Sequence, residues 1–274
     1  MNSKLETDLV AWSGSALGGF LIEHEMQLLR TRLPQLPGSS LLWLGYPGDH
    51  FDARLCMHRE RTLVLNDPTA ARSTLGDRFG SYLAASVTAL PLASASHHAV
   101  VVQHAFDQCR DVHEAVRESA RVMCLGGQIV VLGFNPYSSW GARRRLSWRW
   151  AEAPWGGRLV SLGRMQDWLQ LLGFRILETS YSVYRLPLGA PRAPVPSTVR
   201  RAGSGLPFGA IYALHARKEG PALNVIRPTR QTLRPRLVPA TVTGRIAGAV
   251  PQQRTVLRAV TRQLSSIDGS APTW

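Results

Sequence analysis

Apolar residues recur at helical spacing from Leu21 to Leu33 (LIEHEMQLLRTRL), and Pro34, Pro37 and Gly38 end the run. The stretch before it, Leu9 to Ile22, is apolar enough to mimic the core of a signal peptide. Glu6 and Asp8 precede it where basic residues would stand, and Glu23, His24 and Glu25 follow at once, so it reads as a helix of the domain. The pattern then changes. Ser40 to Gly45 is a short apolar run breaking into Tyr46, Pro47 and Gly48, and Thr62 to Asn66 is another ending at Asp67-Pro68. Short apolar runs closed by turn residues predict buried parallel strands. A helix is expected from Pro68 to about Phe79.

Ala99 to His104 is a β-branched run, hence a strand. In the next segment Val112, Ala115, Val116, Ser119, Ala120 and Met123 share one helical stripe. Gly126-Gly127 predicts a turn into a strand from Gln128 to Phe134, and Ser161 to Leu172 an amphipathic helix stopped by Gly173. Phe174 to Tyr184 and Gly209 to Ala216 read as two last strands joined by a loop rich in Pro, Arg and Gly, from Gly189 to Pro207. Strands alternating with helices predict an α/β fold, a parallel sheet covered on both faces. The two late strands suggest an antiparallel pair at one edge. The charge-free run from Phe79 to Phe106 contains Pro91, His97, His98 and Gln103 and makes a poor membrane span. A soluble, cytoplasmic protein with no stable membrane span is expected.

Charge divides the chain. Residues 1–138 carry 11 Lys and Arg against 13 Asp and Glu, a net of −2; residues 139–198 carry 9 against 3, and residues 199–274 carry 12 against 2, nets of +6 and +10. A fold rarely needs such asymmetry, which points to an anionic partner such as nucleic acid or a lipid surface. Beyond Glu219 the only acid is Asp268, and residues 219–274 read as a basic, mostly disordered tail with one short helix from Gln252 to Leu264. Cys56, Cys109 and Cys124 stand far apart and odd in number, which argues against a disulfide framework or a zinc module. No third ligand joins His50 and His58, or His97 and His98, into a metal site.

In open α/β sheets ligands bind beyond the carboxyl ends of the strands, where the strand order reverses. Gly45 and Gly48 would let the backbone approach a ligand there, and Asp67 is placed to accept from a ribose diol. The plainer alternatives are a strand–helix turn for the glycines and a helix cap for Asp67.

The segment Val87–Pro136 resembles the second half of the methyltransferase type 11 domain. Leu90-Pro91-Leu92, His104, Arg121-Val122-Met123 and Leu125-Gly126-Gly127 match its features in order. Gly133-Phe134-Asn135-Pro136, Trp140-Gly141, Arg143-Arg144, Asp167-Trp168-Leu169 and Leu172-Gly173-Phe174 resemble the YafS-like bacterial branch, over roughly residues 10–228. The resemblance implies a Rossmann-like class I fold: a three-layer sandwich with a mostly parallel seven-stranded sheet, its last strand antiparallel. The methyltransferase domain would be residues 1–218, with a Trp/Arg-rich insertion at about 137–160 and the tail at 219–274. It implies S-adenosyl-L-methionine as cofactor, held by Gly45, Tyr46, Gly48, Asp67, Ser86, Val87, Leu90 and Gln103. The chain departs from the pattern at Pro47, where the family has a glycine, at Ser86, near the adenine amine, and at His98, the last two standing for acids.

Methyl transfer asks mainly for alignment of donor and acceptor away from water. His104, at a strand end and titrating near neutrality, is the candidate catalytic base, with a structural histidine pinning the following loop as the alternative. Tyr137, Trp140, Trp148, Trp150 and Trp155 interleave with Arg143, Arg144, Arg145, Arg149 and Arg158, a mixture suited to stacked or anionic ligands, to a lipid surface, or to a lid. Two functions remain open: an S-adenosylmethionine-dependent methyltransferase, or a non-catalytic protein of that fold binding nucleic acid or another polyanion through its basic half.

Overall fold

The computed structural model describes residues 11–49, 51–146, 158–184, 200–201 and 207–220. All of them fall in one compact unit, Met1–Asn224. Several expectations lie outside the described residues: the basic tail beyond Gly220 with its helix at Gln252–Leu264, most of the Gly189–Pro207 loop, and the placement of Trp148, Arg149, Trp150 and Trp155.

Alternation within the strands builds the layers. Strand β1 (Ser40–Leu44) is buried at all five positions. Leu41 and Trp43 point to one core, Leu42 and Leu44 to the other. Strands β4 (His97–Gln103) and β5 (Met123–Phe134) repeat this, with Ala99, Val101, Val130 and Leu132 on the first face and Val100, Val102, Ile129 and Val131 on the second. A strand covered on both faces needs apolar residues at every position, which is why these read as continuous runs. Helices α1 (Ala16–Arg32) and α2 (Thr69–Leu75) cover the first face. Helices α3 (Val112–Val122) and α5 (Leu162–Leu171) cover the second, and α4 (Ser139–Leu146) sends Trp140 into the first core.

With β2 (Glu60–Leu65), β3 (Ser81–Ala84), β6 (Phe174–Ser182), β7 (Arg200–Arg201) and β8 (Ile211–Lys218), the sheet order is β3-β2-β1-β4-β5-β8-β6-β7. The first five strands are parallel, and β8 runs antiparallel between β5 and β6. The order reverses between β1 and β4, so the crevice beyond their carboxyl ends is the switch point.

Four expectations change. The helix pattern at Leu9–Ile22 and that at Leu21–Leu33 belong largely to one helix, α1, started by the Ser15 hydroxyl, which accepts from the Gly18 amide at 3.1 Å. Strand β3 lies unread in the charge-free run; at four residues, none fully buried, its pattern was too short and too wet to register. The late antiparallel pair is not the edge, because Arg200–Arg201 add a short eighth strand to β6. Gly126-Gly127 lies inside β5, at a bulge where the three residues His97 to Ala99 of β4 face the six from Met123 to Gln128 of β5.

The family motifs in the middle of the chain turn out to be fasteners. Arg121 donates to Leu90 O and Leu92 O at 2.9 Å each and to the Glu118 carboxylate, while Glu118 Oε2 accepts the Leu90 amide at 3.1 Å. The Leu90-Pro91-Leu92 turn is thereby tied to α3.

Candidate active site

The carboxyl ends of β1, β2, β3 and β4 lie along one edge of the parallel sheet, and they bring Gly45, Asp67, Ser86 and Gln103 to that edge. Gly45 has φ +95° and Gly48 φ +87°, conformations that side chains disfavour. Neither has room for one. A Cβ on Gly45 would stand 2.1 Å from Gln103 O, and one on Gly48 would stand 2.3 Å from Ile22 Cγ2 of α1. The turn from Gly45 to Gly48 is buried. Tyr46 is buried within it, and its hydroxyl donates to the Asp49 carboxylate; burial, then that carboxylate, pushes its phenol well above the usual range. Pro47 offers the loop no N–H.

At the end of β4 lies a buried polar cluster. His104, at φ +54°, is 4% exposed and lies stacked on Phe134 with ring centroids 4.1 Å apart. Its Nε2 donates to Glu25 Oε1 at 2.5 Å and its Nδ1 to Asp107 Oδ2 at 2.9 Å. Asp107 Oδ2 also accepts the Phe134 amide at 3.0 Å, and Glu25 Oε2 accepts from Gln103 Nε2 at 2.7 Å. Burial opposes charge on the imidazole, yet Glu25 and Asp107 together outweigh it and hold His104 up at about 10. Burial also pushes the Asp107 carboxyl above its usual range, against the pull of His104.

Both ring nitrogens of His104 are thus engaged by carboxylates, the geometry of the alternative reading, a histidine that pins the loop after β4. It links α1, the end of β4 and, through Asp107, the end of β5 by hydrogen bonds. Glu25, the residue that decides this, escaped the sequence reading. Its one signal is an acid inside the apolar stripe of α1, one turn after Leu21 and among Leu28 and Leu29.

The remaining expected residues separate. Asp67 is exposed just beyond β2, and its Oδ1 accepts the Thr69 amide at 3.0 Å, at the start of α2; the Thr69 side chain, and then that amide, keep its carboxyl below the usual range. Ser86 Oγ pairs with Thr88 Oγ1 at 2.6 Å. Val87 and Leu90 are buried in the second core, against α3. Beyond β5, Asn135 Nδ2 donates to Pro207 O at 2.8 Å and Gly209 O at 2.9 Å, and its amide donates to Ala210 O. Exposed Tyr137 and Phe208 therefore flank one junction at the same end of the sheet. Trp140 is buried against Phe134 and Trp12, so it is core rather than acceptor surface. Among the described residues no helix is long and apolar enough to cross a membrane.

Residues 66–131 match the family described as Methyltransferase domain. The uncharacterized protein YafS of Escherichia coli (strain K12) is 36% identical over 91 residues, which is 33% of this chain and 38% of YafS. The match thus spans well under half of that relative. A protein from Thermotoga maritima, solved as a SAM-dependent methyltransferase and possible histamine N-methyltransferase, superposes with a TM-score of 0.60 at 16% identity, covering 78% of this chain and 99% of the other. The N-methyltransferase NodS from Bradyrhizobium japonicum, solved with S-adenosyl-L-homocysteine, gives 0.51 at 16% identity, over 78% and 96%. With the strand order and the matched segment together, the chain has the class I S-adenosylmethionine-dependent methyltransferase fold, carries a methyltransferase-domain segment at residues 66–131, and is a relative of YafS.

Proposed function

We propose that this chain binds S-adenosyl-L-methionine in the crevice between β1 and β4 and transfers its methyl group. The observation that carries the reading is a pair of left-handed glycines, Gly45 and Gly48, beside an unmet acceptor. Gln103 Oε1 is buried at the switch point and has no hydrogen-bond partner. A buried acceptor left unpaired is costly, so a donor-bearing ligand fits there. When bound, S-adenosylmethionine supplies an electrophilic methyl group on a sulfonium. The chain's part is to hold and shield: Gly45, Tyr46 and Gly48 from the first turn, Asp67 toward the ribose, Ser86 toward the adenine amine, Val87 and Leu90 as apolar wall. His104 serves as a positioning residue, keeping the β4 end in register with α1.

A second reading is favoured by a different observation. The Gly45–Gly48 turn is buried, with Gly48 packed against Ile22, and the chain carries nets of +6 and +10 over residues 139–198 and 199–274. In this reading the fold is retained without catalysis and binds nucleic acid or another polyanion through the basic half.

Calorimetric titration of the full chain with S-adenosylhomocysteine separates the two. Saturable one-site binding, with a melting temperature that climbs with ligand, is expected. No heat and no thermal shift at about millimolar ligand would reject the enzyme. In that case single-stranded RNA should bind with an affinity that drops steeply as salt rises.

A further inference from the structure

Strand β6 runs parallel to β5, because β8 lies antiparallel between them, and Ile211 of β8 pairs with both Phe134 and Ser182. The ends of β5 and β6 and the start of β8 therefore meet at the sheet edge where β1 and β4 also end. Hydrogen bonds knot together the three segments that leave there. Asn135 ties the β5 end to Pro207, Gly209 and Ala210, and the Ala210 amide donates to Val183 O at 2.8 Å. Val183 has φ +59°, a left-handed conformation that a β-branched residue adopts only where its surroundings impose it. The Tyr137 amide donates to Asn135 Oδ1 at 3.1 Å and Ser138 Oγ to Asn135 O at 2.6 Å, so this backbone is fixed as well. Each segment of the knot turns a large aromatic ring outward: Tyr137 is 64% exposed, Phe208 53% and Tyr184 38%.

The charge at this edge has one sign. Helix α4 starts two residues after Tyr137 and carries Arg143, which is exposed, followed by Arg144 and Arg145. Strand β7 sets Arg200 opposite Tyr181, near the end of β6, with Arg201 beside it. No Asp or Glu occurs in residues 132–146, 179–184 or 207–218. We propose that this aromatic and arginine-rich rim docks on an anionic lipid bilayer. Aromatic rings settle at the headgroup level, and guanidinium groups pair with lipid phosphates. Phe208 has no hydrogen-bonding group, so its gain comes from leaving water for an apolar medium. Single-stranded nucleic acid asks instead for rings strung along a groove that follows its backbone. Here the three rings share one knot at the end of the sheet. Among the described residues no helix is long and apolar enough to cross a bilayer, so the contact is interfacial. The surface stands apart from the cofactor crevice and holds whether or not the chain is an enzyme. Because β1 and β4 end at the same edge, docking turns that crevice toward the bilayer.

Flotation of the full chain with two kinds of vesicle tests this: phosphatidylcholine alone, and equal parts phosphatidylcholine and phosphatidylglycerol. Strong binding to the second and little to the first is expected. The basic stretch at residues 219–274 also favours anionic vesicles, so the rings carry the test. Tyr137→Ser combined with Phe208→Ser should weaken partition onto the anionic vesicles about tenfold, and each single substitution about threefold. Tyr137→Phe, which keeps the ring, should bind as the unaltered protein does. Both side chains are exposed, so melting temperatures should hold; if the double variant melts early, the two single variants decide. Unaltered protein that stays off the anionic vesicles overturns the proposal. So do serine variants that bind as tightly as it does, since charge outside the rim then supplies the whole attraction. Single-stranded RNA bound through the same two rings, with no vesicle binding, overturns it in favour of nucleic acid.

Discussion

At Gly48 two independent features of the fold call for the same residue. Its φ of +87° and the 2.3 Å separation between an added Cβ and Ile22 Cγ2 each exclude a side chain. Gly48→Ala should therefore cost about 1–3 kcal/mol, from backbone strain plus the clash. In a double-mutant cycle Ile22→Ala should recover the clash but not the strain, so denaturant melts of the four proteins should show a coupling of about 0.5–1 kcal/mol. Additive losses would mean that α1 does not rest on this turn. The glycines were legible in the sequence because a turn after a buried strand calls for them. His104 was legible as a strand-end histidine, but its carboxylate partner was not, because Glu25 stands 79 positions earlier and no local pattern connects the two.

At the scale of elements, α1 is keyed to the sheet by polar pairs rather than by apolar contact alone. His24 bonds the Ser182 hydroxyl, Glu25 bonds Gln103 and His104, and Arg32 reaches Ser180 Oγ at 3.2 Å and Glu178 at 3.2 Å. Such pairs fix the helix register on strands far away in sequence. Helix α3 is held at both ends. Asp111 accepts the Glu114 amide at 3.1 Å, and Lys218 Nζ, on β8, donates to Ala120 O at 2.7 Å and Met123 O at 2.8 Å. These are carbonyls at the end of α3, where a cation is favoured. Lys218→Met keeps the stem and removes the charge; it should lower stability by about 1–2 kcal/mol in thermal melts. A neutral result would show that water replaces the ammonium. Strand β3 marks what periodicity misses at this scale. A short strand at the sheet margin has too few buried positions to reveal its period, and only pairing with β2 defines it.

For the molecule as a whole, burial of histidines sets the response to pH. His24, His58, His97 and His215 are each pushed below 6.5, first by burial. The unfolded chain then binds protons that the folded one refuses. Their contribution is present above about 6.5 and lost as pH falls through the folded values. His104 runs the other way: held at about 10, its contribution is complete below 6.5 and lost as pH rises through 10. Melting temperature should therefore be highest near pH 6.5 to 7, fall toward alkaline pH as His104 loses its advantage, and fall on acidification from about 7 to 5 as the four lowered histidines take up protons. A temperature that rose over that interval would show that these rings are solvated in the native state.

Four features can be read along the chain: the alternation of strands and helices, the position of the first turn, the division of charge and the methyltransferase-like middle block. Each is a local property, carried by residues within one turn, one strand or one short segment, and local periodicity records them. Only the folded chain shows that β8 enters between β5 and β6, that Ile22 seats on Gly48, and that an imidazole between two carboxylates lies buried at the end of β4. Those outcomes depend on groups brought together across most of the described chain. Burial sets their energies, and burial is not written in the order of neighbouring residues.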